Sequence, residues 1–330
     1  MVEYHHLLSD ITNTLKEGQK QAVSQVNQTL VATYWKVGKY IIDFEQHGMQ
    51  RAEYGTELIS QLAKDLKTHF GRGFSKSTVY KIRQLYQCYP NFQTLSGKLS
   101  WSHYAELLSI SDDTARSFYL KQCEYENWSV RELKRQRDTG LFERIALSKN
   151  KQEVIEISKK GHLPAQPKDL LKDPYVFEFL DLPNKEVVLE KDIEAALTDK
   201  LGHFLLELGK GFAFIGKQYR ITIDNTHFYV DLVFYHRILK CFVLIDLKTG
   251  KVSHQDIGQM NLYLNYFRME ENTEGDNPPI GIVMGADKSD ILVEYATAGI
   301  DNQLFVSKYQ LYLPDKEVLE AELSHLLGRD

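Results

Sequence analysis

The chain has 330 residues, 43% hydrophobic and 26% charged, with a net charge of −5 at pH 7. That is the length of two ordinary domains and the composition of a globular protein. No apolar run approaches the roughly 20 residues of a membrane span, and three scattered cysteines without CxxC spacing (Cys88, Cys123 and Cys241) argue against a disulfide framework or a zinc site.

The first residues, MVEYHHLLSDITNTL, lack the basic-then-apolar pattern of a secretory signal and read as the start of an amphipathic helix. With the cysteine usage, this fits a reducing cytoplasm, and no membrane partner is expected. Charge is unevenly shared: residues 1–150 carry a net +4 and residues 151–330 a net −9. An acidic half is a poor whole-surface binder of nucleic acid, but it admits local, metal-assisted contacts.

Residues 1–150 are expected to form an all-helical domain. The stretch SDITNTLKEGQKQAVSQVNQTLVATYWKVGKYIIDFEQ has apolar residues three and four apart and no proline. A second helix should end at Gly71-Arg72-Gly73, a third should be capped by Ser75, and Pro90 follows its end. Two or three more helices follow, with Ser111 and Ser129 as expected caps. The pair around the Gly-rich turn resembles a helix-turn-helix. Between residues 64 and 83, six basic residues (Lys64, Lys67, Arg72, Lys76, Lys81, Arg83) face one acid, Asp65. Arg72, Lys76, Ser77, Thr78, Tyr80 and Lys81 are therefore the candidate DNA contacts, the side chains of a helix start entering a major groove while basic groups meet phosphates. A bundle pair with a solvated face is the competing reading. The later basic run Arg131, Lys134, Arg135 and Arg137 is expected to be a solvated helix face, and Trp35, Trp101 and Trp128 to belong to the core.

Residues 151–185 hold four of the eight prolines (Pro164, Pro167, Pro174 and Pro183) and are expected to be a linker. From residue 186 to 330 the pattern becomes helix, three strands, helix, strand: KDIEAALTDKLGHFLLELGKG, then FAFIGKQYRITI, THFYVDLVFY and KCFVLIDLK, then QDIGQMNLYLNYFRMEEN, then PPIGIVMGA, with LFVSKYQLYLP as a further strand. A meander followed by a helical crossover implies a mixed sheet, and the whole chain an α+β two-domain protein with an αβββαβ core.

Two apolar strands of this half each carry an aspartate. In FVLIDLK, alternation puts Asp246 and Lys248 on one side of the strand. A turn centred near Ile238–Leu239 sets Asp231 opposite Asp246, where directly opposed Cβ atoms lie about 4.5–5.5 Å apart. Carboxylates that close repel unless a proton or cation intervenes, and oxygen ligands of this kind suit magnesium. Glu207, among leucines in FLLELGKG, is a third carboxylate that could aim at the same point. Gln255 and Gln259 share a face of the following helix.

The DLK motif and the strand order resemble the PD-(D/E)xK nuclease core. The longer blocks LLELGKGFAFIGKQYRI, HFYVDLVFYHRILKCFVLIDLKTGK and DIGQMNLYLNYF, with LSWSHYAELL and NWSVRELKRQ upstream, resemble the YhcG-type PD-(D/E)xK nuclease family over most of the chain. Val230 stands where the superfamily name has proline, and Asp246 where this family usually has glutamate. The resemblance implies a restriction-endonuclease-like domain that hydrolyses DNA phosphodiesters with magnesium, or manganese in its place. It implies that Asp231, Asp246 and the Leu247 carbonyl hold the ion, that Lys248 positions water or stabilises developing charge, that Glu207 completes the shell through water, and that Gln259 borders the pocket. A genome-defence, mobile-element or recombination setting is what such a family suggests, and cutting both strands would suit a homodimer. The alternatives are a DNA-binding or assembly module with an inactive core and, more remotely, carboxylate chemistry on a glycoside, against which Lys248 beside the acids counts.

Overall fold

The computed structural model describes residues 2–47, 54–146, 151–162, 164–172, 174–182, 189–312, 318–319, 321 and 323–324. It divides into two compact units, residues 1–134 and 135–330.

The first unit is helical: α1 (Val2–His47), α2 (Tyr54–Phe70), α3 (Lys76–Cys88), α4 (Trp101–Leu107) and α5 (Asp113–Glu126), with α6 (Val130–Asp138) crossing the divide in sequence. Ser75 caps α3 as expected, its hydroxyl accepting from the Thr78 N–H at 3.1 Å. Ser129 caps α6 in the same way, accepting from the Glu132 N–H at 3.2 Å. At α5 the cap is Asp112 rather than Ser111: its carboxylate reaches the Ala115 N–H at 2.7 Å. Aspartate and serine serve equally at that position, so sequence did not separate them.

The core of this unit joins Ile41 of α1, Ile59 and Ala63 of α2, and Val79 and Ile82 of α3, with Tyr34 and Trp101 packed around them. Helix α1 crosses α3 at Gly38, where a methyl group would lie 2.3 Å from the Ile82 carbonyl oxygen. Trp128 is buried as expected, and half-buried Trp35 donates its ring N–H to the Tyr89 carbonyl at 2.7 Å.

The second unit contains α7 (Leu141–Ala146), α8 (Lys151–Lys160), β1 (Tyr175–Val176), α9 (Glu190–Asp199), α10 (Leu201–Leu208), β2 (Phe212–Ile223), β3 (Thr226–His236), β4 (Cys241–Lys251), α11 (His254–Tyr266), β5 (Ile280–Asp287), α12 (Asp290–Thr297) and β6 (Gln303–Gln310). The six strands form one mixed sheet in the order β1-β6-β5-β4-β3-β2. Strands β2, β3 and β4 are antiparallel, and β4, β5, β6 and β1 run parallel. The expected helix–meander–helix–strand order is present, with α11 as the crossover between parallel β4 and β5. The helix expected before the sheet is two helices, α9 and α10, meeting at Lys200.

Residues 151–185, expected as a linker, hold helix α8 and strand β1, while residues 163, 173 and 183–185 lie outside the described residues. Strand β1 pairs with β6, and Tyr175 and Phe177 are fully buried. Pro167 opens a short 3-10 helix, Pro167–Leu170, and the prolines do not prevent burial, because a two-residue edge strand needs few ladder donors.

Each sheet face has its own core. On one, Leu232, Phe234, Val243, Ile245 and Leu247 pack with Ile193, Leu197 and Phe204 of α9 and α10. On the other, Val233, Leu244 and Val283 pack with Ile257, Met260, Tyr263 and Leu264 of α11. A sheet covered on both sides needs apolar residues in both registers, which is why β4 and β5 read as nearly continuous hydrophobic runs.

Candidate active site

The β3–β4 ladder runs from His236 opposite Cys241 to Leu232 opposite Ile245. The next pair in that register is Asp231 and Asp246, and there the ladder stops. Instead, Asp231 Oδ2 accepts the Leu247 N–H at 2.8 Å. A side-chain oxygen thus takes a bond that a backbone carbonyl would otherwise supply. Within one strand residue, N–H and C=O point to the same edge, so the Leu247 carbonyl also faces the gap between β3 and β4. Leu247 itself is 1% exposed, its side chain in the opposite core.

Alternation from Leu244, which belongs to the α11 core, puts Asp246 and Lys248 on the α11 face. Asp246 is 2% exposed. Its pKa is pushed up to about 7, first by burial and then by the neighbouring Asp231 charge, against the pull of Lys248. Lys248 Nζ lies 2.8 Å from Asp246 Oδ2 and 3.9 Å from Glu190 Oε2. The contact with Asp246 is an ion pair outside hydrogen-bond geometry, so Asp246 Oδ2 is buried with no aligned donor. Burial alone would lower the Lys248 pKa, but Asp246, Glu190 and Asp231 outweigh it and raise it.

Three residues join this group that sequence reasoning missed. Gln218 of β2 bridges Asp231 Oδ1 at 3.0 Å and Glu194 Oε2 at 2.7 Å. It does so from a left-handed backbone, φ 46°, in mid-strand, a conformation costly for a residue with a Cβ and one that tends to cluster at functional sites. Glu190 and Glu194 stand one turn apart on α9. Glu190 accepts the Thr249 N–H at 3.3 Å, and Glu194 has its pKa raised by burial and by Asp231. The spacing in EKDIE was the available signal for the two glutamates; nothing in the sequence marked Gln218.

Gln259 of α11 donates to the Tyr263 hydroxyl, which donates to the Tyr229 carbonyl at 3.1 Å, two residues before Asp231. Tyr263 is raised by burial and feels Asp246, Asp231 and Lys248, so this chain of contacts borders the acidic pair.

Glu207 does not join it. Its carboxylate is fully buried and saturated elsewhere: Oε1 accepts from Arg144 at 2.7 Å and from the Val176 N–H at 3.0 Å, and Oε2 lies 3.4 Å from Arg135 Nη2. Burial would raise its pKa, but Arg144, Lys172 and Arg135 hold it down at about 2. Arg135 also binds Glu178 at 2.7 Å and is only 14% exposed, so it is not the solvated helix residue expected. A carboxylate on an apolar helix face reads alike whether an ion or an arginine answers it, and these arginines lie over sixty residues away in sequence.

Of the candidate DNA contacts, Arg72, Lys76, Ser77 and Tyr80 are exposed at the turn and on the start of α3. Thr78 is half-buried with its hydroxyl on Ser75, and Lys81 donates to the Ala105 carbonyl at 2.9 Å. Lys81 is thus tied to α4. Two cavities have other linings: one of about 490 Å³ is lined by Thr222, Leu262 and Tyr266, another of about 560 Å³ by Tyr89, Arg116 and Lys121.

A mixed sheet whose β3–β4 hairpin sets two aspartates and a lysine together, following an all-helical unit in the chain, defines a PDDEXK nuclease-type protein. Residues 168–324 match the family model described as the YhcG PDDEXK nuclease domain, and residues 10–144 match the DUF1016 N-terminal domain. The chain is 38% identical to the Escherichia coli (strain K12) protein named "Putative nuclease YhcG", across 97% of this chain and 93% of that one. It belongs to that YhcG family. Among solved structures, a repair endonuclease from Pyrococcus abyssi aligns at 16% identity, TM-score 0.28, over 40% of this chain and 50% of that one. An EndoMS complex with double-stranded DNA aligns at 16% identity, TM-score 0.27, over 41% and 50%.

Proposed function

We propose that this protein is a divalent-metal-dependent DNA endonuclease whose second unit cuts phosphodiesters and whose helical unit grips the substrate. The observation that carries the reading is the pairing of Asp231 with Asp246 and Lys248 inside a PDDEXK nuclease domain. A buried carboxylate whose pKa is raised by burial and by a second carboxylate beside it fits a hard cation. Asp231, Asp246 and the Leu247 carbonyl would hold it, and magnesium, or manganese in its place, suits that oxygen set. Glu190 and Glu194, rather than Glu207, are the acids placed to support the shell.

A divalent cation bound there supplies positive charge for the scissile phosphate and makes water more acidic. Gln218 and the Leu247 N–H fix both oxygens of Asp231, so that little reorganisation is needed when substrate arrives. Lys248, held beside Asp246 and kept charged by three carboxylates, donates to the negative charge that develops on the phosphoryl oxygens. Gln259 keeps Tyr263 on the β3 backbone and closes the α11 side. On the helical unit, Arg72, Lys76, Ser77 and Tyr80 would meet DNA as a helix-turn-helix does, with Thr78 and Lys81 ordering the turn. A cytoplasmic setting and a homodimer accord with this activity; no helix among the described residues is long and apolar enough to cross a membrane.

The other reading is a DNA-binding or assembly module with a silent nuclease core. Its support is that, among the described residues, no group of three His, Cys, Asp or Glu is arranged to hold an ion. Incubation with supercoiled, linear and branched DNA under titrated magnesium and manganese, with EDTA as control, separates the two. Cleavage that EDTA abolishes is expected. An intact panel at every metal concentration, with DNA still bound, would overturn the nuclease reading in favour of the module.

A further inference from the structure

Helix α1 extends well beyond its own unit's core. Its first fully buried side chain is Val31, and residues 4–23 are exposed apart from half-buried Thr12. This stretch includes Ile11-Thr12-Asn13-Thr14 and Gly18, all poor helix formers, and an unsupported helix of that length is marginal in water. Something must cover it.

Its pattern says what. Tyr4, Leu8, Ile11 and Leu15 are 65%, 48%, 48% and 62% exposed and follow alternating steps of four and three. Gly18 and Ala22 continue that seam of heptad a and d positions. The flanking positions are uncharged: His5, Leu7, Thr12, Thr14, Gln19 and Gln21. Every Lys, Asp or Glu between residues 4 and 23 (Asp10, Lys16, Glu17 and Lys20) falls on the outer face. Two identical helices can therefore approach without like-charge repulsion. The polar face carries no net charge, so it lacks the basic excess of a helix that lies on a membrane.

We propose that residues 4–22 of α1 pair antiparallel with the same segment of a second copy of this chain. In a two-fold arrangement that sets Ile11 against the other copy's Leu15, Leu8 falls opposite Gly18 and Tyr4 opposite Ala22. The two outer layers at each end set a large residue against a small one, the two central layers pack Ile11 against Leu15, and the six layers span about 27 Å. Gly18 has no side chain and faces open space in the single chain, so it leaves room for the opposing Leu8. A parallel pair would set glycine on glycine and leave a void. The pairing stands independently of the nuclease reading, because it is read as a mass and not as cleavage.

Sedimentation equilibrium on the full chain tests it. The expected mass is twice 38.2 kDa, falling to 38.2 kDa in Ile11→Glu. Gly18→Leu should weaken the dimer about tenfold or more through overpacking, and adding Leu8→Gly should restore it. These side chains are exposed, so the urea-unfolding midpoint followed by the fluorescence of Trp35, Trp101 and Trp128 should be unchanged. A wild-type mass of 38.2 kDa, a dimer that survives Ile11→Glu, or a dimer tightened by Gly18→Leu would each overturn the proposal.

Discussion

Asp231 Oδ2 accepts the Leu247 N–H at 2.8 Å across the opening between β3 and β4. One side chain thereby ends the ladder, orients itself, and brings its charge against buried Asp246. Asp231→Asn keeps the shape but offers one acceptor oxygen to two donors, so stability should fall by about 1–3 kcal/mol while magnesium or manganese binding falls by about tenfold or more. Titration calorimetry with each metal checks this; unchanged affinity would remove Asp231 from the ligand set.

Lys248 lies 2.8 Å from Asp246, with its side chain 19% exposed. Lys248→Ala should lower the cleavage rate by about 10²–10³-fold, the range seen when a donor to developing charge is lost, with DNA affinity preserved. Single-turnover plasmid nicking beside a binding titration distinguishes loss of chemistry from loss of grip. Full activity in this variant would refute its role.

The Arg144–Glu207 pair is fully buried at 2.7 Å. Arg144→Ala strands a charge and should cost about 3–5 kcal/mol in urea unfolding. Glu207→Gln should also destabilise, yet leave metal affinity intact, which a ligand role would not allow.

Acid should act through the same residue. The folded pKa of Glu207, about 2, lies below its ordinary 4.5. The unfolded chain therefore binds the proton more readily. This contribution is fully present above about pH 4.5 and is lost as pH falls toward 2. Acid unfolding curves should be shallower in Glu207→Gln across that window.

On the helical unit, Arg72→Glu with Lys76→Glu should weaken DNA binding and reduce the salt slope by about one per lost phosphate contact. Lys81, tied to Ala105, should affect stability more than the slope. Binding isotherms at several salt concentrations decide it. Gly38→Ala, forcing a methyl group onto the Ile82 carbonyl, should cost about 1–3 kcal/mol by overpacking the α1–α3 crossing.

Sequence alone determined the three-strand meander and the helix that follows it, the hairpin centre, and the register that sets Asp231 against Asp246 with Lys248 beside it. These depend on short-range periodicity: two-residue alternation in strands, caps and glycines at helix ends, and a turn whose centre sets the antiparallel register. Tertiary structure decided which carboxylate serves which end. Glu207 meets Arg144 and Arg135 from distant helices, whereas Glu190 and Glu194 reach the hairpin from α9, and Gln218 reaches it from a left-handed backbone in mid-strand. It also turned a proline-rich stretch into an edge strand of the sheet. A charge's partner depends on which segments the fold brings together, and no local pattern encodes that.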